Sequence, residues 1–318
     1  MHMADALVSA PVALSAGAVA LGLVIVACKK VSEIKRTDIV PLMGVLGAFV
    51  FAAQMINFTI PGTGSSGHII GGVLLSAILG PWAAFITLCA VLIDQCLIFA
   101  DGGLLALGCN VINMAAVSCL LAYPLVFRPI AGKSPSVVSV SVASVAASVV
   151  GLLCGALLVT AETELSGITA LPIGQFLMFM LPIHLLIGIG EGLATAAVLV
   201  YVLKVRPALF YDPDRISGNE SGKLSKSTKR VLWTFAAIAV IFALGFTWIA
   251  SSNPDGLEWS IMRITGDTEL APPSDPPTAF LPGYESALSG IIGGVIMLCL
   301  IWVFSVLIFR KRRSSKVS

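Results

Sequence analysis

Residues 69–100 read Ile69-Ile-Gly-Gly-Val-Leu-Leu-Ser-Ala-Ile-Leu-Gly80-Pro81-Trp-Ala-Ala-Phe-Ile-Thr-Leu-Cys-Ala-Val-Leu-Ile-Asp94-Gln-Cys-Leu-Ile-Phe-Ala100. The fold turns on whether this apolar stretch is one kinked helix or two, the shorter run 69–79 ending at Gly80-Pro81. Other apolar runs of spanning character lie near 8–28, 39–60, 82–100, 104–127, 137–159, 173–203, 231–250 and 289–309. With two helices in 69–100 there are nine spans. If the N-terminus is outside, segments 29–36, 128–136, 204–230 and 310–318 then face the cytoplasm. Those segments hold eighteen of the nineteen Lys and Arg residues and leave Arg263 outside. With one kinked helix, every later basic cluster falls on the opposite side from Lys29, Lys30, Lys35 and Arg36. Lys and Arg accumulate in cytoplasmic loops, so two helices are the better reading.

Composition agrees. Of the 318 residues 57% are hydrophobic and 11% charged, with mean hydropathy +0.99, against about 25% charged in globular chains. This predicts an all-α integral membrane protein, a multi-helix bundle of about nine transmembrane helices, seven plus two. Nothing points to nucleic acid, because the basic residues sit in short juxtamembrane runs without aromatic interleaving. The seven cysteines lie in or at the ends of apolar segments with no Cys-x-x-Cys pair, and read as small core residues. Ile25-Val-Ala-Cys28 looks like a lipobox, but no Lys or Arg precedes Lys29 and cleavage there would place a basic cluster outside.

The chain begins Met1-His2. A histidine in second place offers three nitrogens in a row: the α-amine, its own amide nitrogen and imidazole Nδ1. Closing them on one ion makes a five-membered and then a six-membered ring, nearly coplanar. Planar nitrogen donors suit Ni²⁺ or Cu²⁺, and displacing an amide proton near neutral pH again asks for a late divalent metal. One corner of the square is left for a second imidazole. Any chain can begin Met-His, so the pair alone is weak. The bulk of His2 favours retention of Met1, however, and the chain has only two other histidines, His68 and His184.

His68 ends the turn Pro61-Gly-Thr-Gly-Ser-Ser-Gly-His68. The run that follows it, eleven or twelve residues, covers about 17–18 Å of a hydrocarbon core about 30 Å thick. His68 is therefore expected well below the outer surface, in a protein-lined depression where irregular backbone is tolerated. The tail lies on the same side, so Met1 and His2 can fold onto it.

Several motifs are decoys. Gly62-Thr-Gly-Ser-Ser-Gly67 matches G-x-G-x-x-G but has no βαβ context, and Phe127-Arg-Pro-Ile-Ala-Gly-Lys-Ser134 lacks the first glycine of a phosphate loop. No His-Glu-x-x-His occurs. Among intramembrane polar residues, Asp94, Asp101 and Asn110, with Asn113 three further on, are candidates to orient metal-binding imidazoles. Equally, such groups commonly tie helices together. His184 and Glu191 are seven apart on one face of a long helix and are candidates for an interhelical bond. Ala13 with Gly17 and Ala18 with Gly22 make a small-residue surface, suited to a partner helix or to internal packing.

Met1-His-Met-Ala-Asp-Ala-Leu7, Gly67-His68, Ala100-Asp-Gly-Gly-Leu104 and Leu107-Gly-Cys-Asn110 together resemble the nickel/cobalt substrate-capture component of energy-coupling factor transporters, the CbiM/NikM family. The resemblance covers about residues 1–205. Asn253-Pro-Asp-Gly-Leu-Glu-Trp259 resembles the small CbiN/NikN component, fused through 206–230. The resemblance implies a metal-capture domain 1–205, a cytoplasmic linker 206–230 and a two-helix domain 231–318. It implies that the Met1 amine, the His2 amide and imidazole, and the His68 imidazole hold the metal. It also implies a bacterial or archaeal inner-membrane location. Its implied partners are a transmembrane coupling protein and cytoplasmic ATPases, with Ni²⁺ or Co²⁺ as transported substrate and no organic cofactor. Met3-Ala4-Asp5 is neither of the commonest family versions, which leaves the metal open, and planar amide ligation leans to nickel. The outer loop 251–288, with Asp255, Glu258, Asp267, Glu269, Asp275 and Glu285, is expected to gather cations, the family analogy adding a part in loading. Its bland alternative is a solvated loop with a Pro-Asp-Gly turn.

The chain thus reads as a transport subunit without enzymatic activity of its own. The runner-up is a facilitative channel or secondary carrier using Asp94, His184 and Glu191 as an ion path. A third reading is a membrane metal sensor, which would transport nothing.

Overall fold

The computed structural model describes residues 1–34, 36, 38–212, 226–245, 250–268, 270 and 287–314. Most of the linker expected at 206–230, the acidic residues Glu269, Asp275 and Glu285, and the basic residues Lys35 and Lys316 lie outside the described residues.

The described chain is helical apart from one small hairpin. In order come α1 (Ala10–Ser32), α2 (Ile39–Gln54), strands β1 (Phe58–Ile60) and β2 (Ser65–Gly67), α3 (Gly72–Leu79), α4 (Pro81–Phe99) and α5 (Leu107–Ala131). There follow α6 (Val137–Ser166), α7 (Ile173–Val205), α8 (Lys226–Gly245), the short α9 (Gly256–Thr265) and α10 (Ala287–Ser314). Among these, seven helices are long and apolar enough to cross a membrane, and the apolar α2 and α3 are shorter. The chain is a multi-pass membrane protein.

The break at Gly80-Pro81 separates α3 from α4 as expected. Gly80 adopts φ +84°, and the Tyr211 ring lies where a Cβ would stand, so glycine is required twice over. Pro81 then opens α4, where a missing N–H costs nothing. The start of α3 differs from the sequence expectation. Instead of running from residue 69, the helix begins at Gly72, because Gly71 is left-handed at φ +79° and Glu191 takes the Ile70 and Gly71 N–H groups. Likewise α2 ends at Gln54, and Phe58–Ile60 pairs with Ser65–Gly67, Phe58 opposite Gly67. All eight residues of α3 are buried, so it forms the middle of the bundle, packed on α4 and α5.

Packing between spans cannot draw on a solvent difference, so close approach decides it. Gly188 and Gly192 of α7 lie against the backbone of Val149 and Val145 of α6, with no room for a side chain between. α8 and α10 pack on α2, where Phe49 meets Phe235 edge-on at 5.0 Å and Phe51 fills the space beside Gly293. Large apolar residues such as Leu14, Leu21, Leu165, Trp233 and Trp302 remain on the outside, facing where lipid would be.

The two ends of the bundle differ in charge. The N-terminal tail, the hairpin, Asp101 and α9 meet at one end. At the other, Arg36 reaches the Ile78 carbonyl and Tyr211 N–H the Ala77 carbonyl. Lys29, Lys30, Arg128, Lys204, Lys226, Lys229 and Arg230 belong to this second end by their helix positions, whereas Arg263 lies at the first. By the positive-inside rule the tail is outside.

Candidate metal centre

The N-terminal tail is inserted into the bundle, and its sequence supplies the pins. Asn110 at the start of α5 accepts from Met3 N–H at 2.7 Å and donates to the Met3 carbonyl at 3.1 Å, its amide supplying the acceptor and the donor from adjacent atoms. Gly103 N–H adds a second bond to that carbonyl at 3.0 Å, and Asp5 accepts from Ala106 N–H at 3.0 Å. The Met1 side chain fills a slot against Gly155 of α6 and the Asn113 carbonyl of α5.

These pins bring Met1, His2 and His68 together. The Met1 amine lies 3.4 Å from His68 Nε2. The His2 and His68 rings stack, centroids 5.2 Å apart and 20° from parallel. His68 Nδ1 bonds the Ile69 carbonyl at 3.2 Å, which leaves Nε2 with its lone pair toward the amine. Two nitrogen ligands about 2.0 Å from one ion and at right angles stand about 2.8 Å apart, so amine and Nε2 need close by little to occupy neighbouring corners. His2 Nε2 bonds Gln95 Oε1 at 3.1 Å, and its Nδ1 faces Asp101 at 3.1 Å. A carboxylate opposite Nδ1 calls for a proton or a cation between them. Burial, and then the positive amine beside it, pushes the His68 imidazole down to about 3. Burial likewise lowers His2, with Asp101 opposing. His68 is thus poised as a neutral donor at pH 7, whereas the His2 ring lies between the Gln95 amide oxygen and the Asp101 carboxylate.

Asp255 completes the enclosure. It caps α9 with one oxygen, accepting from Leu257 N–H at 2.8 Å and Glu258 N–H at 2.9 Å, and its other oxygen pairs with the Met1 amine. Burial alone would raise its carboxyl; the amine's charge and hydrogen bond reverse this and hold it well below the usual carboxylate range. Glu258 closes the capping box on Asp255 N–H at 2.9 Å. Ser66 N–H bonds the Pro254 carbonyl at 2.8 Å, and Trp259 Nε1 the Thr63 carbonyl at 3.0 Å. The Pro-Asp-Gly stretch is therefore the start of a docked helix, in place of the solvated turn weighed from sequence.

Of the other candidates, Asp101 and Asn110 touch His2 and the tail. Asp94 is buried, and neither of its oxygens has a hydrogen-bond partner among the described residues. Asn113 donates to Glu162 at 2.6 Å. His184 bonds Met180 of its own helix at 2.8 Å, whereas Glu191 accepts from Ile70 and Gly71 N–H at 3.0 Å each. Sequence reasoning passed over Gln54 and Gln95, lone amides in apolar runs with no spacing to mark them. It also took Asp255 as one charge among many. No group of three His, Cys, Asp or Glu side chains able to hold a metal occurs among the described residues; what meets here is one main-chain amine and two imidazoles.

The family described as cobalt uptake substrate-specific transmembrane region, CbiM, matches residues 2–209, and the PDGLE domain matches residues 229–310. A relative in Archaeoglobus fulgidus, provisionally named a fused nickel transport protein NikMN, is 32% identical over 276 residues, covering 84% of this chain and 86% of that protein. The fused nickel transport protein NikMN of Rhodobacter capsulatus is 29% identical over 279 residues, 82% of this chain and 75% of its own. A solved structure of a transition metal transporter matches with TM-score 0.57 at 33% identity, covering 64% of this chain and 93% of that one.

Proposed function

Because this chain belongs to the CbiM family of cobalt-uptake substrate-specific transmembrane regions and carries a PDGLE domain behind it, we propose that it captures Ni²⁺ or Co²⁺ for uptake as the substrate-specific subunit of an energy-coupling factor transporter. The ion is held by the Met1 amine, the His2 amide nitrogen and Nδ1, and His68 Nε2. A coupling protein and cytoplasmic ATPases drive its release inward. Residues 1–205 form the capture domain, 206–230 the linker and 231–318 the appended pair of spans.

The observation that carries the reading is the 3.4 Å approach of the buried terminal amine to His68 Nε2, with His2 stacked alongside. Chelation replaces the amine proton now shared with Asp255 and the amide proton of His2, and the metal takes the place between His2 Nδ1 and Asp101. Capture therefore releases protons and tightens as pH rises. The carrier reading loses ground on the same geometry. Of the three residues it needs, Glu191 spends both oxygens on backbone N–H groups and His184 Nδ1 bonds its own helix, which leaves Asp94 and His184 Nε2 as its unpartnered groups among the described residues.

The test is Ni²⁺ and Co²⁺ affinity of the purified full chain with the native first residue, and again with one residue added before Met1. The added residue is expected to weaken binding more than ~100-fold, as are His2→Ala and His68→Ala. His184→Ala is expected to stay close to the native value. Unchanged affinity in the extended chain rules out a terminal chelate.

A further inference from the structure

The peptide Ile69–Gly71 is held from two sides. On one, Glu191 of α7, 2% exposed, accepts from Ile70 and Gly71 N–H at 3.0 Å each. On the other, the Ile70 carbonyl accepts from Gln54 Nε2 at 2.8 Å. Gln54 Oε1 in turn accepts from Gln95 Nε2 at 2.6 Å, and Gln95 Oε1 meets His2 Nε2 at 3.1 Å. Both glutamines are buried, one on α2 and the other on α4.

This chain of bonds has only one direction. A carbonyl can only accept, so the Ile70 carbonyl turns the Gln54 amino group toward itself. The Gln54 oxygen must then face Gln95, whose amino group answers it, and the Gln95 oxygen is left for His2. An oxygen there demands a proton on His2 Nε2, so Nδ1, which faces the Asp101 carboxylate at 3.1 Å, is the nitrogen left for a cation to take and the one that closes the six-membered ring with the amide. One residue earlier, the Ile69 carbonyl takes His68 Nδ1–H at 3.2 Å and leaves Nε2 as the donor. One short peptide thus determines which nitrogen of each ring is free.

We propose that Gln54, Gln95 and Glu191 are positioning residues which set the tautomers and orientation of both imidazole ligands through the clamped peptide Ile69–Gly71, an inference that rests on the metal reading above. Amides inside membranes also serve simply to tie helices. A tie has no need of a fixed direction, nor of an end on a ligand. The distinguishing consequence is action at a distance. Gln54 touches neither ring, yet its loss frees Gln95 to rotate and removes the demand for a proton on His2 Nε2.

The experiment uses the full chain with its native first residue in detergent micelles, with Ni²⁺ as probe, read by affinity and by the visible absorption and circular dichroism of the bound ion. The variants are Gln54→Met, Gln95→Met and Glu191→Gln, since methionine matches glutamine in length without adding charge. Thr160→Val, which loses a bond to its own helix at Ala156, is the control for loss of a buried polar group. The wild type and Thr160→Val are expected to share one affinity and one spectrum. Each relay variant is expected to bind at least ~tenfold more weakly with an altered spectrum, as for outer partners of metal ligands. Gln95→Met with Glu191→Gln should cost less than the product of the single losses, because the first break already disconnects the chain. Gln54→Met carries the test where Glu191→Gln does not fold. Native affinity and spectrum in Gln54→Met, or a lowered melting temperature with an unchanged spectrum, overturns the relay. Absence of Ni²⁺ binding in the wild type sinks the metal reading itself and the relay with it.

Discussion

Gly155 shows how little freedom the centre leaves its residues. A Cβ there would stand 2.7 Å from the Met1 terminal methyl and 2.7 Å from the Asn113 carbonyl. The carbonyl belongs to a packed helix and cannot retreat, so the methionine must. Gly155→Ala is expected to eject the Met1 side chain and weaken metal binding by about tenfold, with a stability loss of about 1–3 kcal/mol from overpacking, measurable by titration and by melting. The imidazoles make a second prediction. Burial moves His68 from 6.5 to about 3 in the folded chain. Between those values the unfolded chain binds a proton that the folded one refuses. The metal-free protein should therefore keep constant stability from this group above pH 6.5 and lose it as pH falls toward 3. The loss is at most about 1.4 kcal/mol per pH unit, and His2 acts in the same direction. Melting curves at pH 7.5, 6 and 5 check it; a flat profile would mean the rings are reached by water.

Helix α9 is short, yet it packs the stretch that matches the PDGLE domain onto the hairpin and α7 of the stretch that matches CbiM. Asp255 caps it, Gly256 passes His184 and Ile187 with no room for a side chain, and Trp259 lies edge-on to Phe179 at 5.8 Å. Removing the carboxylate costs the cap, about 1 kcal/mol, and strands the buried amine. Asp255→Ala should therefore loosen the seam between α9 and the hairpin. Faster hydrogen exchange at Ser66 N–H, whose partner is the Pro254 carbonyl, reads this directly, and protection equal to wild type would show that the ion pair does not hold the seam. At this scale the sequence was legible where the signal is local. Gly80-Pro81 marks the end of α3 because both residues act on their own backbone. The beginning of α3 was not legible, since Glu191, more than a hundred residues away, takes the N–H groups of Ile70 and Gly71. Met1, His2 and His68, which the structure brings together, could be singled out as candidates from the donor chemistry of a chain end and the turn at residue 68. Gln54 and Gln95 could not, because a single amide in an apolar run looks the same whether it orients a ligand or ties two helices.

For the molecule as a whole, the nine apolar helices among the described residues do unequal work. α1, α8 and α10 are the least buried of the long spans and α4 and α5 the most. α3 is wholly buried and eight residues long, about 12 Å of helix. Above it sits the candidate centre, where Asp101 is 29% exposed and so in touch with water. Below it the Tyr211 ring closes against Gly80. Against a hydrocarbon core about 30 Å thick, so short a helix cannot cross alone. Part of the depth beside it therefore falls to the irregular segment 61–71, whose backbone groups find protein partners in Glu191, Gln54 and the Pro254 carbonyl.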